Sequence, residues 1–160
     1  MAGLVLTLIE TVLDSQGATV SLPQGPHRMV YAASGDITVT DRRNVVRLGE
    51  GMGCYCEGDV EVRAEAASRV WTWQLGHGPA DPAQLPASTI RIERALEDLA
   101  PSGRYVLRLD RVYFPPGATA FTHVHPGPGI RMVQSGAINI QQNGESYWYK
   151  AGEVWFERVP

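Results

Sequence analysis

Short runs of β-branched or alternating apolar and polar residues, separated by glycine, asparagine and proline, follow one another along most of the chain. Such runs are typical of short β-strands joined by tight turns. In the N-terminal half the pattern predicts seven strands, at residues 18–22, 28–33, 36–41, 44–48, 53–56, 59–64 and 69–75. In the C-terminal half it predicts six more, at residues 105–114, 118–124, 130–134, 137–142, 145–149 and 153–157. We therefore expect an all-β protein.

One helical pattern lies between the two halves. It follows a linker rich in proline and glycine at residues 76–86. Ile92, Leu96 and Leu99 then succeed one another at spacings of four and three residues, with acidic residues between them, and Pro101 ends the pattern. This spacing predicts one short linking helix within residues 88–100.

The two halves contain an internal repeat. Residues 30–39, VYAASGDITV, align with residues 131–140, RMVQSGAINI, at an offset of 101 positions. The same offset places Gly51 on Gly152, so both copies have the same order of strands and turns. We therefore expect an N-terminal β unit over residues 1–78, a linker with the short helix over residues 79–103, and a C-terminal β unit over residues 104–160.

Composition and charge exclude several classes of partner. The chain is 44% hydrophobic and 19% charged, with 14 basic and 17 acidic residues, which gives neither nucleic acid nor an anionic membrane an electrostatic footprint. The apolar run at residues 4–9 lacks the flanks of a signal peptide and the length of a membrane span. Cys54 and Cys56, the only cysteines, are spaced for neither a disulfide nor a zinc site and are expected to act as small apolar fillers. These features favour a reduced, cytoplasmic protein.

Candidate chemistry lies in the C-terminal half, where His123 and His125 stand between a Pro-Pro-Gly turn and a Pro-Gly-Pro turn. On a strand, residues two apart project from the same face. Two neutral imidazoles placed in this way can bind one divalent metal ion, for which iron, manganese, nickel and zinc are the candidates. His123 and His125 can also be hydrogen-bonded polar residues of a barrel interior without any metal.

This arrangement resembles the first motif of the cupin family, G-x5-H-x-H-x3-E-x6-G. Four positions agree with the motif, and the fifth, where the family has glutamate, is Gly129; the agreeing residues are Gly117, His123, His125 and Gly136. The second family motif would begin at Gly152 and would place its histidine at position 163, three residues after the last residue of this sequence.

The resemblance implies two cupin-like barrels in tandem, of the jelly-roll or double-stranded β-helix type. The C-terminal copy ends 8 residues after Gly152, whereas the N-terminal copy runs 24 residues beyond Gly51, so the second barrel is expected to be incomplete. Its open edges would be covered by residues 4–13, by a partner subunit, or by the rest of a longer natural gene product. Because open edges invite pairing, we expect a homodimer.

The N-terminal barrel is expected to lack the family metal site. The offset of 101 assigns non-ligating residues to its four ligand positions, which are Leu22, Gln24, Arg28 and Val62. In the C-terminal barrel a third ligand or a substrate contact is sought among Gln134, Glu157 and the tyrosines Tyr147 and Tyr149. Arg131 shares a strand face with Gly129, where it either holds a substrate carboxylate or lies in solvent at an edge.

Two functions follow from the resemblance. One is an enzyme that binds a divalent metal through His123 and His125 and acts on a small organic molecule, such as a carboxylate, as a dioxygenase, isomerase or lyase. The other is a non-catalytic cupin-like module that binds a small ligand, or has a structural role, without tightly bound metal. The missing glutamate and the absent second-motif histidine favour the second, and the fold cannot choose among the reactions of the first.

Overall fold

A computed structural model describes residues 3–22 and 27–158, and almost all of their regular structure is β. The strands are β1 (Leu4–Leu13), β2 (Thr19–Leu22), β3 (His27–Ser34), β4 (Ile37–Thr40), β5 (Val45–Leu48), β6 (Gly53–Cys56), β7 (Val60–Ala64), β8 (Ser68–His77), β9 (Ser88–Ala95), β10 (Gly129–Met132), β11 (Ala137–Gln142), β12 (Glu145–Lys150) and β13 (Val154–Glu157). Within these ranges the only helical segment is a 3₁₀ turn at Pro82–Gln84. None of the helices in the described part of the chain is long and apolar enough to cross a membrane.

The N-terminal unit is built from two antiparallel sheets. One has the strand order β6-β3-β8-β1-β9, and the other has the order β2-β7-β4-β5. Apolar side chains that alternate along the strands, such as Val60, Val62 and Ala64 of β7, fill the core between the two sheets. Cys56 is 2% exposed in this core, and Cys54 packs against it, which confirms their reading as apolar fillers with free thiols. The all-β prediction is confirmed, and the antiparallel sheets are consistent with a jelly roll.

The repeat is visible in the strand registers. In the N-terminal unit Val30 lies opposite Cys54, and Val39 lies opposite Val46. Adding 101 to each number gives Arg131 opposite Trp155 and Ile140 opposite Tyr147, which are the pairs found in β10–β13 and β11–β12. The two turn glycines also repeat, since Gly35 and Gly136 have φ of 72° and 74°, and Gly51 and Gly152 have φ of 81° and 83°. Four strands of the second unit therefore repeat four strands of the first, while the domain limits at residues 78 and 103 stay a prediction.

β1 explains how the two units pack together. It lies between β8 and β9, and its two faces are both apolar. Ile9 and Leu13 enter the core between the sheets, whereas the other face packs against the C-terminal unit, including Ile130 of β10. The leucines on that second face are Leu4, Leu6 and Leu8, which are 7%, 5% and 0% exposed. The N-terminal segment is thus an inner strand of the first unit that also covers part of the second.

The predicted linking helix is wrong, because Ser88–Ala95 forms strand β9 against the edge of β1. Leu8 lies opposite Ile92 and Ile9 lies opposite Ile90, so Arg91 is an extra residue in the ladder. This β-bulge turns Ile90 towards the core between the sheets and Ile92 towards the C-terminal unit. The segment forms a strand because it contains β-branched residues and can pair with the edge of β1. The helical spacing would support only a short helix, which is marginally stable by itself.

The strands predicted at residues 105–114 and 118–124 are also not formed, since residues 104–128 contain neither helix nor strand. In the N-terminal unit the counterpart of residues 120–123 is β2, which pairs with β7 alone. The described residues place no strand next to residues 120–123, and a short strand without a neighbouring strand is not stable.

Candidate functional site

His123 and His125 lie close together on the irregular segment that precedes β10. Their rings meet edge to face, with centroids 4.9 Å apart. His123 is exposed, and its Nδ1 lies 2.7 Å from the carbonyl oxygen of Phe121. Because a carbonyl oxygen only accepts, Nδ1 carries a proton in this contact, and in the neutral tautomer the lone pair is then on Nε2. The two histidines are thus adjacent, although not on a strand, and His123 presents the nitrogen that a ligand would use.

Glu157 stands at the centre of the site. It ends β13, lies opposite Gly129 of β10, and has a side chain that is 16% exposed. Its Oε2 lies 3.1 Å from Nε2 of His125 and 3.0 Å from Nη2 of Arg131. That oxygen is buried and accepts no hydrogen bond of good geometry from the residues described, so both contacts are electrostatic. The structure therefore brings together three residues that the sequence analysis singled out, His125, Arg131 and Glu157.

Arg131 occupies the space above Gly129. A Cβ placed on Gly129 would collide with Nη1 of Arg131. Gly129 is buried and stands where the cupin pattern has glutamate, so the arginine guanidinium takes the place next to Glu157 that a side chain at position 129 would share. In this site the Glu157 carboxylate is therefore paired with the Arg131 guanidinium. A glutamate at position 129 would instead place a second carboxylate next to Glu157.

Trp155 holds the side chain of Glu157 in place. Its Nε1 donates to Oε1 of Glu157 at 2.9 Å, and its ring stacks on Tyr149 with centroids 4.7 Å apart. Trp155 and Glu157 are two apart on β13, so the same alternation that grouped the histidines would have placed them on one face. Tyr149, a candidate contact, thus meets the site through Trp155.

Gln134 connects the C-terminal unit to the N-terminal unit by hydrogen bonds. Its Oε1 accepts a hydrogen bond from the Tyr31 hydroxyl at 2.8 Å, and its Nε2 donates to the carbonyl oxygen of Ala33 at 3.5 Å. Both partners belong to β3 of the N-terminal unit. Tyr147, another candidate, hydrogen-bonds Glu145 and is 44% exposed.

The donor atoms of the site meet some of the requirements of a divalent ion. Two ligands at about 2.1 Å and at right angles to each other are separated by about 3.0 Å, close to the distance from His125 Nε2 to Glu157 Oε2. The buried Oε2 of Glu157 lacks a hydrogen bond, so it has a lone pair for a metal ion, although Arg131 Nη2 lies 3.0 Å from it. However, no three His, Cys, Asp or Glu side chains of residues 3–22 and 27–158 converge on one point. His123, His125 and Glu157 are side chains of the types that bind divalent ions, but the three do not converge on one point.

In the N-terminal unit, the positions equivalent to the family's metal ligands carry side chains of other types. Leu22 and Val62 belong to the core, and Gln24 lies outside the described residues. Arg28 is 2% exposed and donates from Nε to Gln74 Oε1 at 3.1 Å and from Nη1 to the Gly58 carbonyl at 2.7 Å. Burial lowers the pKa of this guanidinium, and the nearby Asp59 carboxylate opposes that shift.

A cavity of about 770 Å³ lies beside Arg28, at the ends of β3 and β8. His27 lines it, and Nδ1 of His27 lies 2.5 Å from the hydroxyl of Tyr55, which donates to Glu57 at 3.0 Å. The polar groups at this end of the N-terminal unit are therefore engaged largely with one another.

Comparisons with known proteins give structural neighbours only. No protein-family model matches the chain, and no curated protein matches it. A conserved protein of unknown function from Streptococcus pyogenes aligns with a TM-score of 0.38 and 17% identity over 50% of this chain and 69% of its own. A conserved protein with a double-stranded β-helix domain from Klebsiella pneumoniae aligns with a TM-score of 0.36 and 9% identity over 56% of this chain and 76% of its own. A protein of unknown function from Rhizobium leguminosarum aligns with a TM-score of 0.33 and 14% identity over 40% of this chain and 62% of its own.

Proposed function

We propose that this chain is a cupin-like protein whose C-terminal unit binds a divalent metal ion and a small organic ligand. His123 and His125 would hold the ion, and Glu157 would be the third protein ligand. The observation that carries the proposal is the buried Oε2 of Glu157, which accepts no hydrogen bond from the described residues and faces Nε2 of His125 at 3.1 Å. Iron, manganese, nickel and zinc all accept two imidazoles and one carboxylate.

Each residue would have a separate role. The Phe121 carbonyl accepts a hydrogen bond from Nδ1 of His123 and so orients the ring. In metal sites, a hydrogen bond from the non-coordinating nitrogen orients a ligand histidine in the same way. Trp155 holds Oε1 of Glu157 and leaves Oε2 for the ion. Arg131 would leave Glu157 and hold the carboxylate of the ligand through its planar guanidinium. A bound ion would supply Lewis acidity to a ligand oxygen, and the cupin resemblance suggests dioxygenase, isomerase or lyase chemistry.

A cupin-like module without tightly bound metal is the second candidate. The ion pair between Arg131 Nη2 and Glu157 Oε2, at 3.0 Å, favours it because a cation already neutralises the carboxylate. In that case the histidines and Arg131 would bind a small anionic ligand directly. Under either function we propose a cytoplasmic protein, in keeping with its two free thiols.

Metal analysis of the protein separates the two candidates. Protein purified without chelators is analysed for bound metals, and the chelator-treated protein is titrated calorimetrically with Zn²⁺, Mn²⁺, Ni²⁺ and anaerobic Fe²⁺. We expect one ion per chain, with binding lost in His125→Ala and weakened in His123→Ala. His77→Ala, at the end of β8, is the matched control and should bind as the unmodified protein does. Absence of any metal binding in the unmodified protein would overturn the first candidate in favour of the second.

A further inference from the structure

The cavity of about 770 Å³ beside Arg28 has no role in the proposed metal site. Its volume is in the range of small-molecule binding sites. Leu22 and Val62, at two of the positions equivalent to the family's metal ligands, are packed in the core and do not line it. The cavity lies instead between the ends of β3 and β8 and residues of the segments 78–85 and 101–107.

The segment 78–85, which forms one wall, is held against the N-terminal unit. Leu85 is 7% exposed and belongs to the core between the two sheets. The amide of Ala80 donates to Oε2 of Glu93 on β9 at 2.8 Å. This wall is therefore formed by the protein's own contacts, and a ligand would not have to order it.

Arg28 supplies a buried positive charge to the cavity. It is 2% exposed, and it donates from Nε to Gln74 Oε1 and from Nη1 to the Gly58 carbonyl oxygen, which are uncharged acceptors. Burial lowers the pKa of the guanidinium, because water solvates its charge poorly there. An anion in the cavity would stabilise the charged form by accepting charge-assisted hydrogen bonds from the planar guanidinium.

The other ionisable groups do not supply a buried negative charge. Among the described residues that line the cavity, Asp81 is the only carboxylate, and it is exposed. Asp81 already accepts from the amide of Ala83 at 3.0 Å and from Nε2 of Gln84 at 2.9 Å. His27 and His77 also line the cavity, and a histidine is either neutral or positive. The buried charge of the cavity is therefore positive.

Much of the remaining wall is apolar. Leucines come from β1, from β8, from the segment 78–85 and from the segment 101–107, and two tyrosines add their rings; these residues are Leu4, Leu75, Leu85, Leu107, Tyr55 and Tyr105. An apolar group that enters the cavity would remove these surfaces from water. A ligand that matches the whole wall thus has one anionic group and an apolar body.

We propose that this cavity binds a small organic acid with an apolar body, such as an aryl or a branched aliphatic carboxylate. The carboxylate lies against the guanidinium of Arg28, and the apolar body lies among the leucines. The site is separate from the proposed metal site, since its residues end at Leu107 and the metal site begins at His123. The N-terminal unit, which lacks the family's metal ligands, thus has a binding function of its own.

Amide NMR of the isotope-labelled, chelator-treated 160-residue chain tests the site. The probes are phenylacetate and phenylacetamide, which have nearly the same shape and differ in charge. We expect phenylacetate to bind with a dissociation constant of about 1 mM or lower and to shift the signals of residues 27–28, 74–85 and 103–107. Phenylacetamide should bind about tenfold more weakly, because it makes no charge-assisted hydrogen bond to Arg28.

Two variants change the cavity in different ways. Arg28→Met keeps a long side chain without its charge, so phenylacetate should bind about tenfold more weakly, as phenylacetamide does. Leu107→Trp fills the cavity and should weaken both probes about tenfold or more; it maintains the test should Arg28→Met fail to fold. Val106→Trp is the matched control, because Val106 is 88% exposed and does not line the cavity. It should bind both probes as the unmodified protein does.

Several results would overturn the proposal. Shifts confined to residues 123–157 would assign phenylacetate to the C-terminal unit. Equal affinities for phenylacetate and phenylacetamide would show that Arg28 does not recognise the anion. Undiminished binding to Leu107→Trp would place the probe outside the cavity, and absence of phenylacetate binding would leave the cavity without the proposed ligand class.

Discussion

Position 129 shows how one side chain can set the chemistry of a site. Gly129 has no Cβ, and the guanidinium of Arg131 lies in the space that a Cβ would occupy. Arg131 then pairs with Glu157 at 3.0 Å, and Glu157 also faces His125. The carboxylate is thus shared between a fixed cation and a histidine. Binding of a metal ion by Glu157 therefore depends on how readily the Arg131 guanidinium moves away from the carboxylate.

Gly129→Glu tests this dependence. The new side chain should displace the flexible end of Arg131 and add a carboxylate beside His125 and Glu157. Gly129 is absent from the positive-φ glycines, so its backbone accepts a side chain. We expect Zn²⁺ to bind about tenfold more tightly, equivalent to about 1.4 kcal/mol, as measured by calorimetry. Gly129→Gln, which has the same bulk without charge, should give no such gain; equal gains in both variants would attribute the effect to removal of Arg131 alone.

The residues of the site could be named from the sequence only in part. The spacing of His123 and His125 and the face shared by Gly129 and Arg131 marked four positions, and Glu157 was one of several candidate ligands. Sequence spacing could not select Glu157 over Gln134, because that choice depends on which strand faces the N-terminal unit. Gln134 bonds to Tyr31, 103 residues away, a contact that no local pattern encodes.

At the level of strands, alternation and turn residues located strands with near and with distant partners. β11, which forms a hairpin with β12, and β6, which pairs with the distant β3, both occur at their predicted limits. β9 was predicted as a helix because the bulge at Arg91 interrupts its alternation. Residues 104–128 have strand-like sequence without a strand partner in the described chain. Local propensity indicates where a strand can form, and a neighbouring strand is needed for it to form.

Ile92→Ala tests the docking of β9. Ile92 lies opposite Leu8 and packs in the cluster between the two units. Because it is half-buried, its truncation should lower the free energy of unfolding by about 1–3 kcal/mol, less than truncation of a fully buried isoleucine usually does. Urea unfolding followed by circular dichroism measures the change. Thr89→Ala, at an exposed position of the same strand, should stay within about 0.5 kcal/mol. Equal, small effects of the two variants would contradict a packed β9.

In the whole molecule, one charged cluster joins the two units. Glu10 of β1 accepts from Trp71 Nε1 at 2.9 Å and from Arg91 Nη1 at 2.8 Å, and its side chain is 13% exposed. Arg91 also donates from Nη2 to the carbonyl oxygen of Gly152 at 2.7 Å. The bulge that places Arg91 out of the ladder thus directs its guanidinium between β1 and the turn before β13. The cluster complements the apolar contact made by Leu4, Leu6 and Leu8 with the C-terminal unit.

This cluster makes the stability of the protein depend on pH in a definite direction. Burial alone would raise the pKa of Glu10, but the hydrogen bonds from Trp71 and Arg91 and the charges of Arg91 and Arg69 outweigh it and lower the pKa below its usual 4.5. A carboxyl whose pKa is lower in the folded state stabilises that state above its unfolded pKa. The contribution is lost as the pH falls through the lower folded value.

Glu10→Gln should therefore reduce the free energy of unfolding by about 1–2 kcal/mol at pH 7, the usual scale of a charge-assisted hydrogen bond. The difference from the unmodified protein should stay constant down to about pH 4.5 and shrink below it, because both proteins then carry a neutral side chain at position 10. Urea unfolding at a series of pH values measures it. Asp36→Asn, which removes an exposed carboxylate 3.3 Å from Arg47, should cost at most about 1 kcal/mol. A Glu10→Gln deficit that persists undiminished in acid would show that packing, and not charge, holds the two units together at this point.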